Sequence, residues 1–153
     1  MGDKTRIAIA IGDPAGIGPE ISLKAAQDPA VRRACRPVLV GDARVLQRHA
    51  AACRIPVNLH VIARVQDADW SADCIDVLDC AQTDLAAVEF GTFSSVCGHA
   101  TLAFAAAAIK AALAGEVDGV VAAPQNEISI ARAGIAFDGY PSFVARETAT
   151  DED

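Results

Sequence analysis

The sequence lacks any cluster of Lys and Arg; 13 basic residues stand against 20 acidic ones, for a formal net charge of −7. An acidic surface opposes a phosphate backbone, so nucleic acid is not an expected partner. Long hydrophobic runs are missing too. The longest, residues 102–109, falls well short of the ~18 residues that a membrane span needs. The apolar stretch before Gly12 is too short for a signal peptide. Arg6 stands where N-myristoylation at Gly2 would require Ser or Thr. These absences lead us to expect a cytoplasmic protein with no membrane partner. Five cysteines form no C-x-x-C pair and read as reduced thiols, mostly small core residues. His49, His60 and His99 are far apart and have no ligand-like spacing, so no local zinc site is expected.

What is present fits one globular α/β domain covering residues 1–153, with 52% hydrophobic and 22% charged residues. Ile7, Ile9 and Ile11 alternate with alanines, which predicts a strand over 6–11 that is buried on both faces. A helix is predicted over 19–26, opened by Pro19, and a second strand over 38–40. Asp42 can cap a helix running to about Cys53, where Ile55-Pro56 ends it. Further strands are predicted over 57–63 and 75–78, with "VQDADWSAD" between them as loop. An alanine-rich helix starts near Ser94 or Gly98 and stops at Gly115, and "GVVAAP" follows as a fifth strand. Asn126 can cap a short helix ended by Gly134, "FDGYPS" reads as a turn, and another helix is predicted over 141–148. This alternation predicts a parallel or mostly parallel sheet. Because the chain stops where the pattern would supply its next strand, we read it as truncated.

The chemistry-bearing stretch is "RIAIAIGDPAGIGPEI", a strand running through three glycines into a helix. Loops of this kind emerge at the carboxyl edge of open α/β sheets, where ligands bind. A helix opening at Pro19 aims free N–H groups at that edge. Gly16 and Gly18 have no Cβ to hold a ligand off the backbone, and Asp13 places a carboxylate at the strand end. The spacing is neither G-x-G-x-x-G nor a P-loop. Two readings therefore stand side by side: a ligand-binding turn, and a tight turn whose glycines serve packing alone. Asp13 likewise either contacts substrate or holds its own loop by accepting backbone N–H bonds.

"GDPAGIGPEI" after a strand resembles the N-terminal signature of the 4-hydroxythreonine-4-phosphate dehydrogenase family. The resemblance continues through "CGHATLAFAAAAIKAALAGEVDGVVAAP" and "AGIAFDGYPS". It implies a three-layer α/β/α fold like that of isocitrate and isopropylmalate dehydrogenases, and homodimers. It also implies oxidation of a secondary alcohol by NAD or NADP on a divalent metal cation, followed by decarboxylation. In that chemistry the cation polarises the forming carbonyl and stabilises the enolate left when carbon dioxide departs. The resemblance also leaves open 4-hydroxythreonine 4-phosphate itself as substrate, in vitamin B6 (pyridoxine) biosynthesis.

Two departures bear on substrate. Where many members carry Thr-x-Pro-x-x-Lys, this chain reads "AAPQNE", which puts Ala122 at the Thr and Glu127 at the Lys. Where they carry Gly-His-Thr-Glu it reads "GYPS", so Tyr140 and Pro141 take the substrate-contacting positions and Ser142 follows. Losing a cation and an imidazole weakens the case for a phosphate-bearing substrate. The pattern looks closer to the branch with terephthalate dihydrodiol dehydrogenase, which acts on a cis-dihydrodiol carboxylate. By the resemblance, the metal-binding histidines and most cofactor contacts lie outside this chain, so no residue here is assigned to metal, cofactor or catalysis. The expected substrate-binding set is Asp13, Gly16, Gly18, Tyr140, Pro141 and Ser142, for a small hydroxy acid. His99, Ser94 and Ser95 are secondary candidates, the serines as helix caps. The competing functions are an inactive half-fold that only binds, and an unrelated nucleotide-binding domain.

Overall fold

A computed structural model describes residues 4–71, 73–81 and 83–149. Five strands form one parallel sheet in the order β3-β4-β2-β1-β5: β1 Arg6–Ala10, β2 Arg36–Gly41, β3 Leu59–Ile62, β4 Ile75–Asp79 and β5 Gly119–Ala122. Every pairing is parallel, with Ala8 opposite Val38 on one side and Val120 on the other. The central strands read as unbroken apolar runs because both their faces are covered; Ala8, Ala10, Val38, Leu39 and Val40 have no exposed surface. The edges read differently. Val61 on β3 and Val121 on β5 are exposed.

Six helices cover the two faces: α1 Gly18–Gln27, α2 Pro29–Ala34, α3 Ala43–Ala52, α4 Ser95–Leu113, α5 Glu127–Arg132 and α6 Tyr140–Thr148. The chain steps from β1 to β2 in one direction across the sheet and from β4 back past both to β5 in the other. Right-handed crossovers then put α1 to α3 on one face and α4 on the opposite one. The contacts agree: α1 packs on α3, while α4 lies over β1, β2 and β5 and carries α5 and α6. By length and composition α4 would pass for a membrane span, yet it is the core helix, with Leu102, Phe104, Ala105, Ala108 and Ile109 buried. Burying Phe104 completely stabilises the fold by roughly 3 kcal/mol.

Most expected boundaries hold within two residues. Asp42, Ser94 and Asn126 cap α3, α4 and α5 by accepting first-turn backbone N–H bonds, and Gly115 and Gly134 follow α4 and α5 with positive φ. The "VQDADWSAD" stretch holds one 3-10 turn, Val65–Asp67, before its loop. Helix α2 went unforeseen, although Asp28 caps it and Pro29 opens it. The cysteines need correcting. Only Cys97 is buried; Cys53 is exposed, and Cys35, Cys74 and Cys80 are half-buried at loops and element ends.

Candidate functional site

The glycine loop begins where β1 runs out between its two neighbours. The Ile11 N–H donates to the Val40 carbonyl at 3.1 Å, and the Asp13 N–H donates to the Pro124 carbonyl at 3.0 Å. Gly12 is required twice over: its φ is +75°, and a Cβ there would lie 2.4 Å from the Pro124 oxygen. At Gly18 a Cβ would lie 2.3 Å from the Ile11 oxygen. That glycine is buried and lets α1 seat against the strand end. Gly16 is the open one, exposed, with nothing nearer its missing Cβ than Asp13 at 3.4 Å. Of the expected pair, Gly16 faces solvent and Gly18 faces the protein's own backbone.

Asp13 is 4% exposed. Its Oδ1 accepts the Ala15 N–H at 2.8 Å, and its Oδ2 accepts the Ser129 hydroxyl at 3.4 Å. Ser129 Oγ in turn accepts the Ser94 N–H at 3.3 Å. A short polar chain thus ties the glycine loop to the starts of α4 and α5. The carboxylate does hold its own loop, and the buried Cys97 thiol is a further neighbour.

Beneath the loop lies a residue that sequence reasoning set aside. His49 on α3 is buried, and its Nε2–H donates to the Pro14 carbonyl at 2.8 Å. Its ring rests 4.3 Å from that of Phe90, and burial lowers its pKa, which favours neutral imidazole. Ala15, Gly16, Ile17, Glu20, His49 and Phe90 line a shallow hollow of about 340 Å³. Glu20, in the first turn of α1, pairs with Lys24 one turn on. Spacing alone gave no hint of His49, because its partners come from the loop and from residues near 90.

The second half of the expected site arrives at the same strand end. The Tyr140 hydroxyl donates to the Ala123 carbonyl at 3.3 Å, one residue from the Pro124 carbonyl that receives the Asp13 N–H. Tyr140 is half-buried, its ring edge-on to Phe137 at 5.9 Å, and burial raises its pKa. Pro141 and Ser142 follow in the first turn of α6, Pro141 exposed and Ser142 half-buried. Tyr140, Val144 and Thr148 form one side of an apolar cleft of about 580 Å³; Ile109, Leu113, Val120 and Ala122 form the rest. Glu127 and His99 are exposed and fall outside these groupings, and Ser94, not Ser95, is the α4 cap.

No divalent cation fits this corner on the residues described. Among the described residues no three His, Cys, Asp or Glu donors gather around Asp13 or His49. A separate His–Cys–Asp group forms at the far side of the sheet: His60 lies in register with Asp76 across β3 and β4, and Cys74 precedes β4. Parallel pairing makes that grouping, and no local spacing announces it.

The architecture recurs among known proteins. A 4-hydroxythreonine-4-phosphate dehydrogenase from Burkholderia phymatum superposes with a TM-score of 0.92 at 27% identity, over 99% of this chain and 46% of that one. A terephthalate 1,2-cis-dihydrodiol dehydrogenase from Burkholderia xenovorans LB400 gives a TM-score of 0.77 at 40% identity, over 96% of this chain and 41% of that one. A provisionally named D-threonate 4-phosphate dehydrogenase from Symbiobacterium thermophilum is 32% identical over 99% of this chain and 45% of its own length. The chain therefore spans about half the length of the curated relatives it matches. The profile of the family described as "Pyridoxal phosphate biosynthetic protein PdxA" matches residues 33–153, and this chain belongs to that family of dehydrogenase relatives.

Proposed function

We propose that this chain supplies one wall of the substrate cleft of an NAD- or NADP-dependent, divalent-metal-dependent dehydrogenase that oxidises a secondary alcohol and decarboxylates the product. The observation that carries the proposal is the meeting of Asp13 and Tyr140, far apart in sequence, at the consecutive carbonyls of Ala123 and Pro124. Ligands of open α/β sheets bind at such strand ends. The described residues leave metal and nicotinamide without a complete site, so the reaction needs groups beyond these. The chain alone is accordingly expected to be inactive, and the complete enzyme to be a cytoplasmic homodimer acting on a small hydroxy acid.

For the substrate we favour a cis-dihydrodiol carboxylate. Tyr140 offers a hydroxyl and an aromatic edge where a phosphate would want cations, and Glu127 adds negative charge nearby in sequence. The 40% identity to the terephthalate dihydrodiol enzyme supports the same choice. The alternative is 4-hydroxythreonine 4-phosphate, for vitamin B6 synthesis, which the superposition on the Burkholderia phymatum enzyme favours. The test offers the complete protein each substrate with NAD or NADP and follows reduced cofactor and carbon dioxide. Turnover of the cyclic diol acid alone supports our choice, and turnover of the phosphorylated amino acid alone selects the alternative. Turnover by residues 1–153 alone would refute the one-wall reading.

A further inference from the structure

The residues at the far margin of the sheet assemble metal-ligand chemistry that the dehydrogenase reading leaves unused. His60, on β3, and Asp76, opposite it on β4, are joined by a 2.8 Å contact between Nδ1 and Oδ1. Cys74 lies just before β4, and one donor atom from each of the three residues falls within 4.8 Å of the other two. Asp76 is almost fully enclosed, with its side chain 2% exposed, while that of His60 is 42% exposed, leaving a way in from solvent. The carboxylate is already oriented by protein donors: the Asp69 N–H reaches Oδ1 at 3.0 Å and the Trp70 N–H reaches Oδ2 at 2.9 Å. Such supporting bonds fix a ligand before any ion arrives.

Cys74 is the least settled of the three. Its thiol, which burial and the neighbouring carboxylates make harder to ionise, has one proton and two oxygen neighbours: Ser71 Oγ at 3.5 Å and Asp69 Oδ2 at 3.7 Å. A cation in place of that proton would satisfy both the sulfur and the surrounding negative charge of Asp69, Asp73 and Asp76. Arg32 is the opposing charge nearby, but its guanidinium is committed to the carbonyls of Ala26, Ser71 and Cys74.

We propose that His60, Cys74 and Asp76 bind one zinc-class divalent cation, which clamps the start of β3 to the start of β4. The donor set selects the metal. One thiolate, one imidazole and one carboxylate suit zinc, whereas calcium and magnesium favour oxygen alone. A fourth position is left for water or for Asp69. Tetrahedral ligands at zinc distances stand roughly 3.3–3.7 Å apart. Binding therefore opens the His60–Asp76 contact and draws the sulfur inward, while the thiol proton leaves to water and the imidazole proton moves from Nδ1 to Nε2. This cation is distinct from the one implied for the substrate cleft: β3 is the strand farthest from β5, and His60 and Asp76 lie toward the amino ends of their strands, away from the glycine loop.

Residues 1–153 are the right material for the test, since the cleft cation has no complete set of ligands among the described residues. Zinc titration followed by calorimetry and native mass spectrometry should find one tightly bound ion. Cobalt substitution should show thiolate-to-metal charge transfer in the near ultraviolet. Cys74→Ser and His60→Gln should each weaken binding by more than about a hundredfold, beyond the loss seen when only a supporting residue is removed. Cys53→Ser, an exposed cysteine elsewhere, should leave it unchanged. Circular dichroism of each variant checks that it folds; should Cys74→Ser misfold, His60→Gln and the cobalt spectrum of the parent chain decide. Absence of a stoichiometric ion, lack of a thiolate band, or binding indifferent to His60→Gln would overturn the proposal.

Discussion

Asp13 and Asp42 sit beyond the carboxyl ends of adjacent parallel strands, both buried, and the fold uses them in different ways. Asp42 has no exposed surface, and its oxygens accept the Arg44 guanidinium at 2.7 and 3.0 Å, the Arg44 N–H at 3.0 Å and the Thr83 N–H at 3.2 Å. Burial alone would push its pKa up; the Arg44 side chain and the two backbone donors outweigh this and hold it below the ordinary carboxylate range. Asp13 receives one backbone N–H and a long hydroxyl contact. A saturated carboxylate is a strut. Asp13 is held by fewer and longer bonds, and the proposed function assigns it to the substrate wall.

The largest expected effect tests the strut. Asp42→Ala removes a helix cap and leaves the Thr83 N–H without its acceptor, and should cost about 3 kcal/mol in urea unfolding. Asp13→Ala should cost about 1 kcal/mol. Equal losses would erase the distinction. In the complete enzyme the order should reverse: Asp13→Asn lowers kcat/KM at least about tenfold, or ~1.4 kcal/mol of transition-state stabilisation. Asp42→Asn, corrected for folded fraction, leaves kcat/KM near the parent value.

Acidity gives a third, smaller contrast. The folded-state pKa of Asp42 is depressed, so its contribution is complete above about pH 4. It is lost as pH falls through that lowered value. His49 is also depressed, but as a base. Its neutral form suits the fold, so stability is full above its unfolded pKa of about 6.5 and declines as the pH drops further. Melting curves between pH 7 and 5 should therefore slope in the parent and flatten in His49→Gln, whereas Asp42→Asn should keep that slope and differ from the parent only in converging with it in stronger acid. The smallest effect is at Gly16, where alanine should change stability by under about 0.5 kcal/mol, since nothing crowds the position.

Much of the fold was legible because its signals are local. Asp42, Ser94 and Asn126 cap the helices they precede, and the isoleucine–alanine run of β1 is the mark of a strand covered on both faces. Helix α2 was equally local in Asp28-Pro29, and was passed over because it carries no buried residue and hence no apolar stripe. The site was half legible. The glycine loop and "GYPS" each stood out, but only folding shows that both reach the end of β5. His49 under Pro14, and His60 beside Asp76, depend on which elements become neighbours, and residue spacing holds no trace of that.

One feature of the sheet bears on how the chain is made. β1 is bordered on one side by β5, and the Arg6 backbone N–H donates to the Asp118 carboxylate across 112 residues of sequence. Among the described residues no neighbouring strands are joined by a hairpin. During synthesis β1 must wait with one flank bare until β5, the last of the five strands, emerges. For that interval the isoleucine-rich β1 is the segment a chaperone would hold, and translational arrest before β5 would leave it as an adhesive stretch of the nascent protein.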